Sequence, residues 1–343
     1  MRPLLTSDQA DRLVQATARG VTLTGLTRLL EWTRRSSFSI LRINLTETAA
    51  DRDGESWTPS SLTSVLHVVS EHYNVVSIDE VATALHDRGT LPESAVVLVA
   101  PLVIPPGEFA LDKVLAAVQV PCMITASPGL LDTGRPPWPH LIRAAIRRVS
   151  DDAVDMDERR YSVRSRERRQ RAAADIIRRV YEHCEIDRSE RVDELIQSWK
   201  VDPSGIRGIE WPDFERLANT DYITPGVCGL TGDSLVRLPL DRAIWELREA
   251  RRRMSDRLGS EVLHGEYPWG DFSRIVSVET QNAGYKTAIG RPSVPGALNG
   301  PRQNPYELLS RSLPRGSSEF VRADLAGILA HVRPVVDFFA PAR

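Results

Sequence analysis

Lysine is nearly missing from this chain: among 44 basic residues only Lys113, Lys200 and Lys286 are not arginine. The arginine excess has two readings, genomic base composition or an arginine-lined groove for anionic sugars, since guanidinium groups pair in two-point fashion with carboxylate and phosphate. Cysteine is also scarce. Cys122, Cys184 and Cys228 are odd in number and far apart, which excludes a disulfide framework and a zinc ribbon and points to a reducing compartment. Long apolar runs are lacking too. The longest, around Val96 to Ile104, is too short to span a bilayer, and the first twenty residues carry no apolar core of signal-peptide length. The expected location is therefore the cytoplasm. A net charge of -2 provides no pull toward nucleic acid or an anionic membrane, so neither is an expected partner.

What is present is ordinary globular material, 41% hydrophobic and 26% charged, long enough for one large α/β domain with insertions. Its organising stretch is Ala95 to Gly107, AVVLVAPLVIPPG. The unbroken Val and Leu run predicts a parallel strand covered on both faces, and the prolines then end regular structure. Catalytic groups of α/β folds sit at the carboxyl ends of such strands. Here that end carries Pro101 and Leu102, neither of which can ligate a metal, move a proton or attack a carbonyl.

Around this strand the pattern alternates. Asp8 to Arg35 reads as a helix ending in Arg34 and Arg35, Ser37 to Leu45 as a first core strand, and 46–56 as an acidic surface loop. A helix opens at Thr58-Pro59-Ser60-Ser61, a short strand covers Val75 to Ile78, and Asp79 caps a helix from Glu80 to Asp87. A helix from Phe109 to Val118, a strand from Pro121 to Ala126 and a loop from Leu130 to Trp138 follow. Residues Leu141 to Lys200 read as an inserted helical hairpin, with the run RSRERRQR on a solvated face. From Trp211 the alternation resumes: strands near Tyr222 to Leu230, Val262 to Tyr267 and Tyr285 to Ile289, a strand or turn near Pro305 to Ser310, and helices at Leu240 to Leu258, Phe272 to Asn282 and Ser318 to Val332. Strands alternating with helices imply an α/β fold with a parallel sheet or (β/α) barrel. The domain plan is an N-terminal helical segment 1–36, a barrel over 37–330 with a helical insertion at about 141–210, and a tail 331–343.

From Ser37 to Leu329, SILRINL, LPESAVVLVAPL, VPCMITASPGLLDTGRPPW, IEWPDFERLANT, LGSEVLHGEYPWGDFS, AGYKTAIG and NPYELLSR follow one another in an order that resembles the polysaccharide deacetylases of the NodB-homology type. The resemblance implies a distorted (β/α) barrel and a metal-dependent removal of N-acetyl groups from sugars. In that family the central strand ends in an Asp-Asp pair, base and metal ligand, and two histidines of H-x-x-x-H complete the site. The matching positions here are Pro101, Leu102, Cys228 and Gly232, and the family's Tyr-His on the first strand is matched by Ile43 and Asn44. The turn Tyr267-Pro268-Trp269-Gly270 matches the family's Y-P-x-G, whose backbone N–H resembles an oxyanion donor and whose aromatic lines the groove; Glu266 stands near where many members carry Arg.

Losing base and ligands together implies no metal, no cofactor and a non-catalytic protein of carbohydrate or surface-polysaccharide metabolism, acting by glycan binding or as a scaffold subunit. A glycan or nucleotide-sugar-derived ligand and a protein of polysaccharide synthesis are the expected partners. The expected groove comprises Asn44, His264, Glu266, Tyr267 and Trp269. The alternative is a hydrolase of acetylated amino sugars with a rearranged, metal-independent site built on His264, Glu266 or Asp271 and the oxyanion turn. Asp221, Cys228 and Asp233 are the remaining candidates for a cation, a weak set from one short segment.

Overall fold

A computed structural model describes residues 7–23, 36–45, 57–103, 110–183, 188–291, 298–329 and 332. The expectations for Arg34 and Arg35, the acidic loop 46–56, Pro105 to Gly107, Cys184 and the tail beyond residue 332 lie outside the described residues. Strands in chain order are β1 (Ser39–Arg42), β2 (Asn74–Val75), β3 (Ala95–Pro101), β4 (Cys122–Ala126), β5 (Ala153–Met156), β6 (Arg159–Ser162), β7 (Ile223–Val227), β8 (His264–Glu266), β9 (Thr287–Gly290) and β10 (Leu308–Ser312). Helices are α1 (Ser7–Leu23), α2 (Pro59–His72), α3 (Ile78–His86), α4 (Leu111–Val118), α5 (Pro128–Thr133), α6 (Trp138–Arg148), α7 (Arg166–His183), α8 (Arg188–Ser198), α9 (Trp211–Ala218), α10 (Leu240–Leu258), α11 (Arg274–Asn282) and α12 (Ser318–Leu325).

The parallel strands close on themselves in the order β1, β3, β4, β7, β8, β9, β10 and back to β1, with β2 added beside the lower half of β3. Closure explains the uninterrupted apolar run of β3. Val97 and Val99 fill the barrel with Ile40, Met123, Ile289 and Leu308, while Val96, Leu98 and Ala100 join Leu41, Ile43 and Ile124 beneath the helices. Side chains alternate across a strand, so a strand buried on both faces has no position left for a polar residue. Truncating fully buried Leu98 to Ala therefore removes about 2–5 kcal/mol.

Local signals set the helix starts. Thr58 and Ser61 form a reciprocal capping box ahead of α2, with Pro59 in the first turn. Ser77, rather than Asp79, is the N-cap of α3, exchanging hydrogen bonds with Glu80. Asp79 is thereby released to face the barrel. Val76, Ile78 and Val81 join the barrel's inner cluster, so α3 closes its N-terminal end. Among the described residues no helix is long and apolar enough to cross a membrane.

Two segments differ from the sequence expectation. The expected loop from Leu130 to Trp138 contains α5, whose C-terminal Gly134 has φ 63°. The insertion is not a plain helical hairpin: the antiparallel pair β5–β6 lies between α6 and α7, turning at Asp157 with φ 53°. Its apolar residues form a separate core of Leu141, Ile142, Ile146, Val154, Ile176 and Leu195, among others. The N-terminal α1 packs Val14 and Ala18 on Ala323, Ala326 and Leu329.

Candidate functional site

Alternation along the strands decides which side chains reach the barrel mouth. Above the apolar layer of Ile40, Val99, Met123 and Ile289, the next inward positions are Arg42, Thr125, Cys228, Glu266, Arg291 and Ser310. This is a polar layer with one ion pair at its centre. Arg42 Nη1 lies 2.5 Å from Glu266 Oε1, with side chains only 9% and 1% exposed. Arg42 Nη2 donates to Ser310 Oγ at 3.0 Å, and Thr125 Oγ1 donates to Glu266 Oε2 at 2.6 Å. Ser310 in turn donates to the Gly290 carbonyl at 2.9 Å. Both carboxylate oxygens are thus engaged by donors within the layer itself. At the rim, Asn44 Nδ2 donates to Ser312 Oγ at 3.2 Å.

The positions matched to the family's metal and base do not form a ligand set. Pro101 ends β3, paired with Thr125, and Leu102 turns outward into the core under the helices. Cys228 follows β7, its N–H donating to the Ala126 carbonyl at 3.0 Å. Burial and the Glu266 carboxylate push its thiol pKa up, which keeps it protonated and a poor ligand or nucleophile. Gly232 has φ 79°, and a Cβ there would sit 3.3 Å from Leu130 Cδ1. The loop it belongs to is tied down by Glu246, which accepts from the Thr231 hydroxyl at 2.9 Å. Burial raises the pKa of Glu246 against that bond. Among the described residues no three His, Cys, Asp or Glu side chains converge as a metal site. A divalent ion of the kind the resemblance implies does not fit these residues. Asp221, Cys228 and Asp233 fail for a topological reason: Asp221 precedes β7 and the other two follow it, so they lie at opposite ends of one strand.

The expected groove is also divided. Asn44, Glu266 and Trp269 belong to the mouth. His264 does not: it begins β8, buried toward the closed end, with Nε2 2.9 Å from Asp79 Oδ1 and Nδ1 2.9 Å from Thr287 Oγ1. Tyr267 points out under α11, donating to the Tyr306 carbonyl at 2.8 Å. Adjacent strand positions face opposite sides, which separates Tyr267 from Glu266. Trp269 keeps its place but not its freedom, because the insertion packs on it. Its ring lies 4.9 Å from Trp138 and 4.7 Å from Tyr181. Trp138 Nε1 donates to Asp233 at 3.1 Å and the Tyr181 hydroxyl donates to Asp271. Trp269 itself has φ 65°, a conformation held by this packing and by the Gly270 N–H to Tyr267 carbonyl bond of 2.8 Å.

Sequence reasoning missed Arg42, Thr125, Ser310 and Arg291, and the docking role of Trp138 and Tyr181. A signal existed for the first: in SILRINL, Ile40, Arg42 and Asn44 share one face, and an arginine on the inner face of a barrel strand needs a buried partner.

No protein-family model matches this chain, and no curated protein matches it. Its likeness lies in structure. The Streptococcus pyogenes deacetylase PplD, solved with acetate, superposes with a TM-score of 0.56 at 9% identity, over 85% of this chain and 99% of that one. A de-N-acetylase from Aggregatibacter actinomycetemcomitans matches with a TM-score of 0.51 at 12% identity, over 85% and 99%. A polysaccharide deacetylase from Bacillus cereus matches with a TM-score of 0.50 at 9% identity, over 85% and 69%. Closed barrel, strand order and these superpositions agree: the chain has the fold of the polysaccharide deacetylases, a NodB-type (β/α) barrel.

Proposed function

We propose that this protein is a non-catalytic counterpart of the polysaccharide deacetylases, acting in carbohydrate or surface-polysaccharide metabolism by binding glycan or as a scaffold subunit. The observation that carries the reading is the self-neutralised layer at the barrel mouth. Arg42, Glu266, Thr125 and Ser310 satisfy one another, while Pro101, Leu102, Cys228 and Gly232 supply neither a base nor a ligand set. Without a Lewis acid or a free base, an oxyanion-type turn alone contributes about 3–4 kcal/mol, well short of the roughly 8 kcal/mol or more that enzymatic acceleration requires. The rearranged hydrolase is less well supported, because its three acids are committed elsewhere: His264 to Asp79, Glu266 to Arg42 and Thr125, and Asp271 to Tyr181.

The test is acetate release from N-acetylglucosamine oligomers with and without added zinc, cobalt or chelator. Release at the buffer rate in every condition is expected. Robust release that survives chelator would overturn the reading in favour of the hydrolase.

A further inference from the structure

Where the insertion meets the barrel mouth lie three arginines that make no ion pair with another described residue. Arg188, first residue of α8, is 4% exposed, and its Nε has no hydrogen-bond partner. Its guanidinium lies 5.8 Å from the centre of the Tyr181 ring, and that of Arg237 lies 5.0 Å from the same ring. Tyr181 donates to Asp271, and Asp271 stands in the field of Arg291 at the top of β9. Neither Arg237 nor Arg291 makes an ion pair with another described residue, and both are exposed.

Other arginines of this chain behave differently. Arg252 binds Glu249 and Asp256, Arg178 binds Asp175 and Glu182, and Arg311 binds Asp324. Carboxylates are abundant enough to neutralise a typical arginine here, so arginines that form no ion pair among the described residues are distinctive. Arg42 adds no anion to share, since Glu266 is consumed within its own pair. The charge of Arg42 also opposes that of Arg291, so an anion arriving there would relieve an existing repulsion.

We propose that Arg188 and Arg237, set about the Tyr181 ring, together with Arg291 on the far side of the Asp271 that Tyr181 binds, form a binding site for the oxyanion group of an acidic saccharide, a carboxylate or a phosphate ester. Guanidinium forks match the paired oxygens of either group, and a buried guanidinium whose Nε has no partner among the described residues is satisfied by a ligand that supplies one. The saccharide part rests on the glycan-binding reading above; recognition of the oxyanion does not.

The test is isothermal titration calorimetry at low salt with glucuronic acid, N-acetylglucosamine 1-phosphate and uncharged N-acetylglucosamine as probes. One or both acidic sugars are expected to bind at least about tenfold more tightly than the neutral one. Which acid wins tells carboxylate from phosphate ester. R237A and R291A should each weaken that binding about tenfold, and R252A should leave it unchanged. Arg188 is buried, so R188K, with circular dichroism to verify folding, replaces truncation there. The proposal is overturned if no acidic probe binds, if the neutral sugar binds as well, or if R237A and R291A bind like the parent. Acetate release measured on the same samples decides the non-catalytic reading separately.

Discussion

Replacing Glu266 with Gln isolates the energetics of the barrel mouth, because the amide keeps the shape and the Thr125 contact but removes the charge opposite Arg42. The parent pair is 2.5 Å apart with 9% and 1% of the two side chains exposed, so water cannot step in for the missing carboxylate. Removing one member of such a pair leaves a buried charge uncompensated and costs about 3–5 kcal/mol. Arg291 adds to this, since its charge already opposes Arg42 and loses the same balancing carboxylate. Replacing both, Arg42→Met with Glu266→Gln, removes the stranded charge and should return most of the lost stability, because buried ion pairs contribute little beyond an apolar pair of equal volume. Urea denaturation of parent, both single variants and the double variant closes the cycle. A coupling energy of at least about 2 kcal/mol is expected. Additive losses, or a Glu266→Gln variant within about 0.5 kcal/mol of the parent, would refute the claim that this pair holds the mouth.

The remaining expectations concern the closed end, the insertion and the vanished ligand set. The hydrogen bond from His264 lowers the Asp79 pKa below its ordinary 3.8; a depressed folded value gives stability that is present above the unfolded pKa and is lost as pH falls through the folded one. Asp79→Asn should therefore flatten the acid arm of a stability profile below about pH 4, and an unchanged acid arm would count against the pair. Trp138→Ala should cost about 3 kcal/mol or more and expose the insertion to limited proteolysis between α6 and α8, whereas protection equal to the parent would mean that the aromatic packing on Trp269 does not dock it. Grafting Asp at 101 and 102 and His at 228 and 232 should not yield stoichiometric zinc in elemental analysis, because Leu102 faces the outer core and Gly232 holds φ 79°; one zinc per chain would show that the backbone can frame a metal site there.

The barrel was legible because its signal is redundant. An apolar β3, a capped α2 and the strand-helix alternation each point to the same architecture, and the ordered motifs from SILRINL to NPYELLSR reinforce it. Short elements fared worse. The β5–β6 hairpin hid within the charged sequence AVDMDERRYS, where the alternation of Val154 and Met156 with Asp155 and Asp157 is too brief to outweigh the helical sequence on either side. The site was half legible for another reason. Matching to family positions finds what is gone at Pro101, Leu102, Cys228 and Gly232, but not what stands in its place. Arg42 and Glu266 are more than two hundred residues apart, and only barrel closure brings the ends of β1 and β8 across from each other.

Closure also explains why the mouth is polar at all. Every strand that reaches the rim must place something inward, and an apolar layer open to water there would be exposed surface without burial to stabilise it. A deacetylase of this fold can meet the requirement with acidic and imidazole ligands around a divalent cation. A positive charge carried on the chain itself is another way to meet it, and needs no bound ion. Arg42 provides such a charge at the end of β1, and Glu266 balances it from β8 with the help of Thr125 and Ser310. In the resulting layer Arg42, Glu266, Thr125 and Ser310 are donors and acceptors to one another, which is the observation behind the proposed non-catalytic reading. Arg291 belongs to the same layer without an ion-pair partner among the described residues, and the insertion, docked through Trp138 and Tyr181, holds Arg188 at the Tyr181 ring that Arg237 also approaches.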